Sequence, residues 1–184
     1  MRFFIAWVVV LVIAAPGAAE DVLVSPYRDQ TLTEIRGLSE KEILELREGR
    51  GMGLARTAEL NGYPGPRHVL DAVREGRLHL RPDQVQTIQR LFDDMSHEAQ
   101  RLGLMILKEE WALEREFRKG TISAADVHAG VGRIATLQGE LRAVHLRTHL
   151  ETRPVLSEQQ IQRYNQLRGY SADSSPEHKQ EHRH

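Results

Sequence analysis

The fold is decided by a segment that begins with Leu80-Arg81-Pro82-Asp83-Gln84 and ends with a similar pattern, Leu156-Ser157-Glu158-Gln159-Gln160. In each copy a leucine precedes the predicted start of a helix. A glutamine follows three residues after the N-cap position, where its side chain can bond the N-cap amide as in a capping box. Pro82 suits a first helical position because no backbone donor is needed there. Each copy therefore predicts the start of a helix.

The residues between the two copies form two apolar seams in which spacings of three and four alternate, as in a heptad pattern. Lys119-Gly120 is typical of a helix end, and Ser123 with Asp126 is typical of a helix start. The pattern therefore predicts two long helices that fold back antiparallel. The first seam consists of Val85, Ile88, Phe92, Met95, Ala99, Leu102 and Ile106, and the second of Val127, Val131, Ile134, Gln138, Leu141, His145 and Thr148.

Shorter helices are predicted on both sides of these two. Ser39 and Glu42 form a capping-box pattern, and Pro66 suits the first position of a helix that closes at Gly76. Pro154 ends the second long helix, and a third begins at Ser157. The predicted fold class is all-α: a long antiparallel helical hairpin with short N-terminal helices and a third C-terminal helix.

Composition shifts divide the chain into five predicted parts. Residues 1–19 are predicted to be a signal peptide, and residues 171–184 a disordered tail that contains histidine. Residues 20–37 lack periodicity and are predicted to be a flexible arm, while residues 38–77 form a short-helix and turn region. Residues 78–170 carry the helical hairpin domain.

The N-terminus determines the predicted location of the protein. Arg2 precedes an apolar run and the small residues Gly17-Ala18-Ala19, which is typical of a cleaved secretory signal and predicts a periplasmic protein. The alternative is an uncleaved N-terminal membrane anchor that faces the periplasm. The chain contains no cysteine, so no disulfide stabilises it in an oxidising compartment.

The two five-residue patterns resemble the Leu-Thr-x-x-Gln signature of the Spy/CpxP family of periplasmic helical proteins. The resemblance covers about half the chain, from residue 78 to residue 170. Arg81 and Ser157 stand where the signature has threonine. Of these two residues, only Ser157 has a side chain that can accept the capping hydrogen bond. The family includes chaperones and relatives involved in zinc resistance and heavy-metal sensing. The resemblance therefore implies a stress-response role in the periplasm.

His145 and His149 are the candidate metal ligands. They lie four residues apart on a predicted helix, so both imidazoles are on one face, where they can share a divalent transition metal such as zinc. The antiparallel register brings Met95, Asp94 and Glu98 near them. The alternative interpretation is that His145 is a core histidine with a local hydrogen bond and that His149 is on the surface.

A second group of histidines lies in the predicted tail and is a looser metal candidate. Its members are His178, His182 and His184. The alternative is that these residues are simply solvated.

Enzyme and nucleic-acid functions are not expected. No cysteine nucleophile, Gly-x-Ser-x-Gly elbow or His-Glu-x-x-His motif is present, so no catalytic or cofactor-binding residue is predicted. If the signal is removed, Arg2 is lost from the 25 basic residues, and the remaining 24 face 26 acidic ones, a formal charge of −2. Such a balance does not favour nucleic acid, and we expect no small-molecule substrate.

Leu91, Met105 and Trp111 lie off the first seam and predict a second contact surface on that helix. Because a two-helix hairpin is thin, we expect a homodimer. Two functions remain open. One is an ATP-independent chaperone or heavy-metal-resistance accessory that binds unfolded proteins. The other is a metal sensor or buffer (zinc, copper, nickel or cobalt) coupled to a membrane-bound signalling protein.

Overall fold

The computed structural model describes residues 25–170, and this part of the chain contains helices joined by turns and loops and no strand, which confirms the all-α class. The predicted signal peptide and the predicted histidine tail lie outside the described residues. No helix between residues 25 and 170 is both long and apolar enough to cross a membrane. The α-helices of this range are α1 (Glu40–Arg47), α2 (Arg56–Glu59), α3 (Pro66–Arg74), α4 (Pro82–Lys119), α5 (Ala124–Thr152) and α6 (Glu158–Leu167).

The predicted helix starts are confirmed by their hydrogen bonds. Ser39, Ser123 and Ser157 are N-cap residues whose hydroxyl groups accept from the backbone three residues on. At the start of α4 only half of this arrangement forms, because the Gln84 side chain accepts from the Arg81 amide at 2.9 Å while arginine has no acceptor to offer. The Arg81 guanidinium pairs with Asp83 instead. The predicted end at Gly120 is a left-handed C-cap, with φ of 71°.

The two long helices pack together, and most of the first predicted seam is buried between them and the short helices. Ile88 and Ala99 are 0% exposed, and Leu102 and Ile106 are 1% exposed. The second seam is only partly correct. Val131 is 49% exposed and Gln138 is also exposed, while Gly130, outside the seam, is buried.

The two five-residue patterns meet in the folded protein. The side-chain amides of Gln84 and Gln160 bond each other in both directions, at 3.0 and 3.1 Å. Gln84 also donates to the Val155 carbonyl at 2.7 Å, and Gln160 donates to the His79 carbonyl at 2.9 Å. The starts of α4 and α6 are therefore joined by one polar network, although 76 residues separate the two glutamines.

Two apolar clusters cover the long helices. The first cluster joins α1 to the middle of α4 and α5, where α1 approaches so closely that a Cβ added at Gly103 would lie 1.9 Å from the Leu46 carbonyl oxygen. The second cluster packs α3 and α6 on Ile88. Part of the predicted flexible arm is structured: residues Arg28–Leu32 form a 3₁₀ helix, and Ile35 is 4% exposed within the first cluster. An apolar side chain buried to this extent attaches the segment to the core.

Candidate functional site

A group of polar side chains interrupts the packed interior where α2, α5 and α6 meet. Glu59, at the end of α2, is 8% exposed, and one of its oxygens, Oε1, accepts hydrogen bonds from three donors. These are the Tyr164 hydroxyl at 2.5 Å, Arg168 Nε at 3.2 Å and the Tyr170 hydroxyl at 3.3 Å. Burial, and then the bond to Glu59, raise the pKa of Tyr164 well above its ordinary value, so its hydroxyl remains a donor.

His149 lies against the other oxygen of this carboxylate. Its Nδ1 is 2.8 Å from the Tyr63 carbonyl oxygen and 3.7 Å from Glu59 Oε2. Because a carbonyl oxygen can only accept, Nδ1 must carry the proton in that bond. A backbone carbonyl that holds one imidazole nitrogen in this way is the usual outer support of a metal-binding histidine.

His145 lies one turn before His149 on α5 and is 3% exposed. Its Nε2 is buried and has no hydrogen-bond partner among the described residues. Burial, and then the nearby His149, lower the pKa of His145, so the ring is held in its neutral form. A buried polar atom without a partner destabilises the fold by about 1–3 kcal/mol, and neutral imidazole is the form that binds a metal ion.

The two histidines line a cavity of about 410 Å³. Its wall also contains Glu59 and Gly65, and a Cβ added at Gly65 would lie 3.0 Å from His149 Nε2 and 3.2 Å from Glu59 Oε2. The missing side chain of Gly65 therefore keeps space open between the imidazole and the carboxylate. His68 is at the mouth, where partial desolvation, followed by the charge of Arg168, lowers its pKa.

The rim of the cavity is basic. Arg56, Arg67 and Arg168 all line it, against the single carboxylate of Glu59. Arg168 is paired with Glu59, and Arg67 is paired with Asp71 at 3.1 Å just outside. Arg56 forms no ion pair with any described residue. The entrance therefore carries a net positive charge.

The other predicted metal neighbours do not reach this cavity. Met95 is buried in the first apolar cluster, Asp94 is exposed, and Glu98 pairs with Arg101 at 2.7 Å. Between residues 25 and 170, no group of three or more histidine, cysteine, aspartate or glutamate residues is arranged to hold a metal ion. His178, His182 and His184 lie outside the described residues. The structure thus supplies two neighbouring imidazoles at one cavity, and the predicted ligand pair remains a prediction.

Four members of this site are not predicted by the sequence pattern: Glu59, Gly65, Tyr164 and Arg168. Glu59 and Tyr164 are 105 residues apart, and the short helix that carries Glu59 has no periodic pattern. One sequence signal was available, because Tyr164 and Arg168 are four residues apart and must share one face of α6 or its C-terminal extension.

The second predicted surface lies elsewhere, on the exposed side of α4. Met105 is 40% exposed and Trp111 is 46% exposed, whereas Leu91 is partly buried. Arg115 stacks over the Trp111 ring, with 4.9 Å between its guanidinium carbon and the ring centroid. Leu104 lies seven residues, or about two helical turns, before Trp111 and is 53% exposed. Leu104, Met105 and Trp111 together form an exposed apolar strip on α4.

Comparison with known proteins finds no matching family model, no similar curated protein and no similar solved structure.

Proposed function

We propose that this chain is an exported, Spy/CpxP-like helical protein that binds a divalent transition metal at His145 and His149, as a sensor or buffer in the periplasm. The role is one of binding rather than catalysis. The observation that carries the proposal is the pair of imidazoles, four residues apart on α5, at the wall of one cavity. One of them is oriented by the Tyr63 carbonyl, and the other has a buried nitrogen with no partner.

The scaffold in this proposal is an antiparallel hairpin of α4 and α5. Contacts near the connecting loop support it, since Arg133 Nε lies 2.8 Å from Glu109 Oε2 and a Cβ at Gly130 would lie 3.2 Å from Leu113 Cδ1. The glutamine network joins the far end, where α4 begins and α5 has just ended. Such a rigid pair fixes the site on helix faces, which holds ligands more precisely than a loop does.

The test is calorimetry of the full chain with Zn²⁺ and Co²⁺. We expect the His145→Ala, His149→Ala double variant to abolish the tight site. The matched control is His97→Ala with His128→Ala, which removes two exposed histidines and leaves binding unchanged. A background in which His178, His182 and His184 are all asparagine separates any contribution of the C-terminal segment. Binding that survives the double variant on this background would refute the ligand assignment.

Gly65→Ala offers a second, smaller change at the same place. The backbone of Gly65, with φ of −81° and ψ of 136°, suits alanine, so the methyl group acts only by occupying space. It would lie 2.9 Å from His149 Cε1, too close for ordinary contact. We expect weaker metal binding with the fold retained, and Gly139→Ala, where the methyl group meets nothing within 4 Å, is the matched control.

An ATP-independent chaperone is the second candidate function. The apolar strip of Leu104, Met105 and Trp111 on α4, beside the cations of Arg101 and Arg115, favours it because unfolded chains bind to mixed apolar and charged surfaces. The purified protein should then suppress aggregation of an unfolded client without nucleotide. Trp111→Ser should weaken this activity, and Leu150→Ser, at an equally exposed leucine on α5, should not.

The same strip supports the proposed homodimer, since pairing of two chains would cover it. Light scattering across micromolar concentrations should show a dimer that Trp111→Ser weakens. A constant monomer mass at every concentration would exclude self-association as the means of covering α4.

In the sensor role, the proposed partner is a membrane-bound signalling protein.

A further inference from the structure

A second cavity lies between α1, the loop that follows α1, and the middle of α4 and α5. Its volume of about 430 Å³ lies in the range of about 300–1,000 Å³ that is typical of small-molecule sites. An aliphatic wall favours the apolar part of a ligand, because apolar surface is then removed from water. The aliphatic side chains of this wall are those of Leu38, Leu46, Met52, Leu54, Ile106 and Leu141.

Two carboxylates, Glu42 of α1 and Glu110 of α4, line the same cavity. Glu110 is half-buried, and it forms no ion pair and no side-chain hydrogen bond with any residue that the structure describes. Burial, and then the charge of Glu42, raise the pKa of Glu110. A partly buried carboxylate near a like charge is stabilised by a cation that enters the cavity.

The third charged group of the lining is Arg142 of α5, which is exposed and forms no ion pair with a described residue. Two carboxylates and one guanidinium give the lining a formal charge of −1. Oε2 of Glu42 already accepts from the Ser39 amide at 2.8 Å and from the Ser39 hydroxyl at 2.7 Å, which leaves Oε1 for a ligand. Glu110 is therefore the main acceptor that the cavity offers to a cation.

Met52 gives the wall an adaptable side chain. Within residues 25–170 it is the only residue other than glycine with a positive φ, 43°, a conformation that side chains with a Cβ rarely adopt. Strained backbone of this kind is concentrated at sites that hold ligands. Because the methionine side chain is unbranched and polarisable, it can pack against apolar ligands of different shapes.

We propose that this cavity binds an organic ammonium ion that carries an aliphatic chain. The chain packs against the aliphatic wall, and the ammonium group donates to Glu110, with Oε1 of Glu42 as a second acceptor. The wall contains no aromatic ring among the residues described, so a primary ammonium, which donates hydrogen bonds, fits better than a quaternary one. The cavity shares only Met52 with the one beside the two histidines, and the inference does not depend on metal binding.

The test is calorimetry of the full chain at neutral pH with octylammonium, octanol and octanoate, each below the concentration at which it forms micelles. We expect octylammonium to bind about tenfold more tightly than octanol, a difference of about 1.4 kcal/mol, and octanoate to bind most weakly. Glu110→Gln should remove the tenfold preference and leave the binding of octanol unchanged. Glu140→Gln, at an exposed glutamate of α5 outside the lining, is the matched control and should keep the preference.

A second variant tests the position of the ligand. Gly139 of α5 lies in the wall, and a Cβ added there would meet nothing within 4 Å. Gly139→Leu should fill this space and weaken octylammonium and octanol alike, with the far-UV circular dichroism unchanged. Gly132→Leu is the control, at another helical glycine with open space around its Cβ and outside the lining.

Four results would overturn the proposal. Equal binding of octylammonium and octanol would show that Glu110 does not select the charge of the ligand. Tightest binding of octanoate would mean that Arg142 controls selectivity. Absence of binding by all three compounds, or binding of octylammonium that survives Gly139→Leu, would show that this cavity is not the site. None of these results bears on metal binding at His145 and His149.

Discussion

The two long helices are well covered along one half of their length and more open along the other, where the apolar seam of α4 has ended and only that of α5 continues. In the covered half, residues 82–107 of α4 and 134–152 of α5, the short helices α1, α3 and α6 add a second layer, and Leu102 is 1% exposed. In the open half, residues 108–119 and 124–133, Trp111, Phe117 and Val131 are 46, 55 and 49% exposed. Two amphipathic helices bury only one stripe of each other, so further burial requires another layer.

The polar cavity belongs to the covered half, where it is most costly to maintain. The wall of the cavity includes buried imidazoles in an environment that otherwise favours apolar groups. A buried and incompletely bonded group in a well-packed region is where we expect a functional site, because packing alone would not select it. The open half exposes apolar side chains instead, and these, with Leu104 and Met105 at the end of the covered half, suit contact with other chains.

Truncation of one apolar residue in each half tests the comparison directly. We expect Leu102→Ala to lower the free energy of unfolding by about 3–4 kcal/mol, because it leaves a cavity between packed helices. Val131→Ala in the open half should change it by less than about 0.5 kcal/mol. Urea unfolding followed by far-UV circular dichroism measures both values. Equal losses would show that the open half is covered in solution, for example by a second chain.

Addition of a methyl group at Gly103 should have the next largest effect. Its Cβ would lie 1.9 Å from the backbone oxygen of Leu46, so α1 must move away from α4. We expect Gly103→Ala to destabilise the fold by about 3 kcal/mol in urea unfolding. A neutral result would mean that α1 is not held against α4 in solution.

Loss of the glutamine network should come third. Gln84→Ala removes the bonds to the Arg81 amide, the Val155 carbonyl and Gln160, and we expect a loss of about 2 kcal/mol. Gln86→Ala, an exposed position on the same helix, should be nearly neutral. Because Gln84 and Gln160 bond each other, the Gln84→Ala, Gln160→Ala double variant should lose less than the sum of the single losses. Additive losses would contradict the pairing.

Acid should weaken the covered half through His145. Its pKa is lowered in the folded state, so the unfolded chain binds the proton more readily. Above the unfolded pKa of about 6.5, the free energy of unfolding keeps its full value as far as His145 is concerned. As the pH falls from there through the folded pKa, the free energy of unfolding decreases by up to about 1.4 kcal/mol per pH unit. His145→Leu should flatten this pH dependence and, since it also removes the unpaired Nε2, raise stability at neutral pH by about 1 kcal/mol. An unchanged pH profile would mean that another group controls it.

The smallest expected effect is a gain in the open half. Gly132 is an exposed helical position of α5 where an added Cβ would meet nothing within 4 Å. Gly132→Ala should stabilise the protein by about 0.5–1 kcal/mol through helix propensity alone, the opposite sign to Gly103→Ala. A loss at this position would indicate a contact with another chain.

The interpretation of local signals was accurate because helix caps depend on residues three or four apart. Ser39, Ser123 and Ser157 were predicted as helix starts, and each accepts the expected capping bond. The seam prediction was accurate for Ile88, Ala99 and Leu102 and wrong for Val131 and Gln138. The pattern gives the face of a helix, but it does not show whether a neighbour covers that face.

At the candidate site, too, the contacts within one helix could be predicted and the contacts between distant segments could not. The pairing of His145 with His149 follows from the helical repeat and was predicted, because four residues make one turn. Glu59, Gly65 and the two α6-side residues Tyr164 and Arg168 could not be predicted, since their contacts join segments about a hundred residues apart. No periodicity links such segments.

The sequence by itself determined the all-α class of residues 25–170, the helix starts at Ser39, Ser123 and Ser157, and which two histidines share a face. All of these depend on interactions within one or two helical turns. Only the tertiary structure decided that the two motif glutamines bond each other and that Glu59 accepts a hydrogen bond from Tyr164 of α6. It also decided that a cavity lined by three arginines lies beside the two histidines. These features depend on how α2, α3 and α6 pack on the long helices, and packing is a balance of burial over the whole molecule that no single segment encodes.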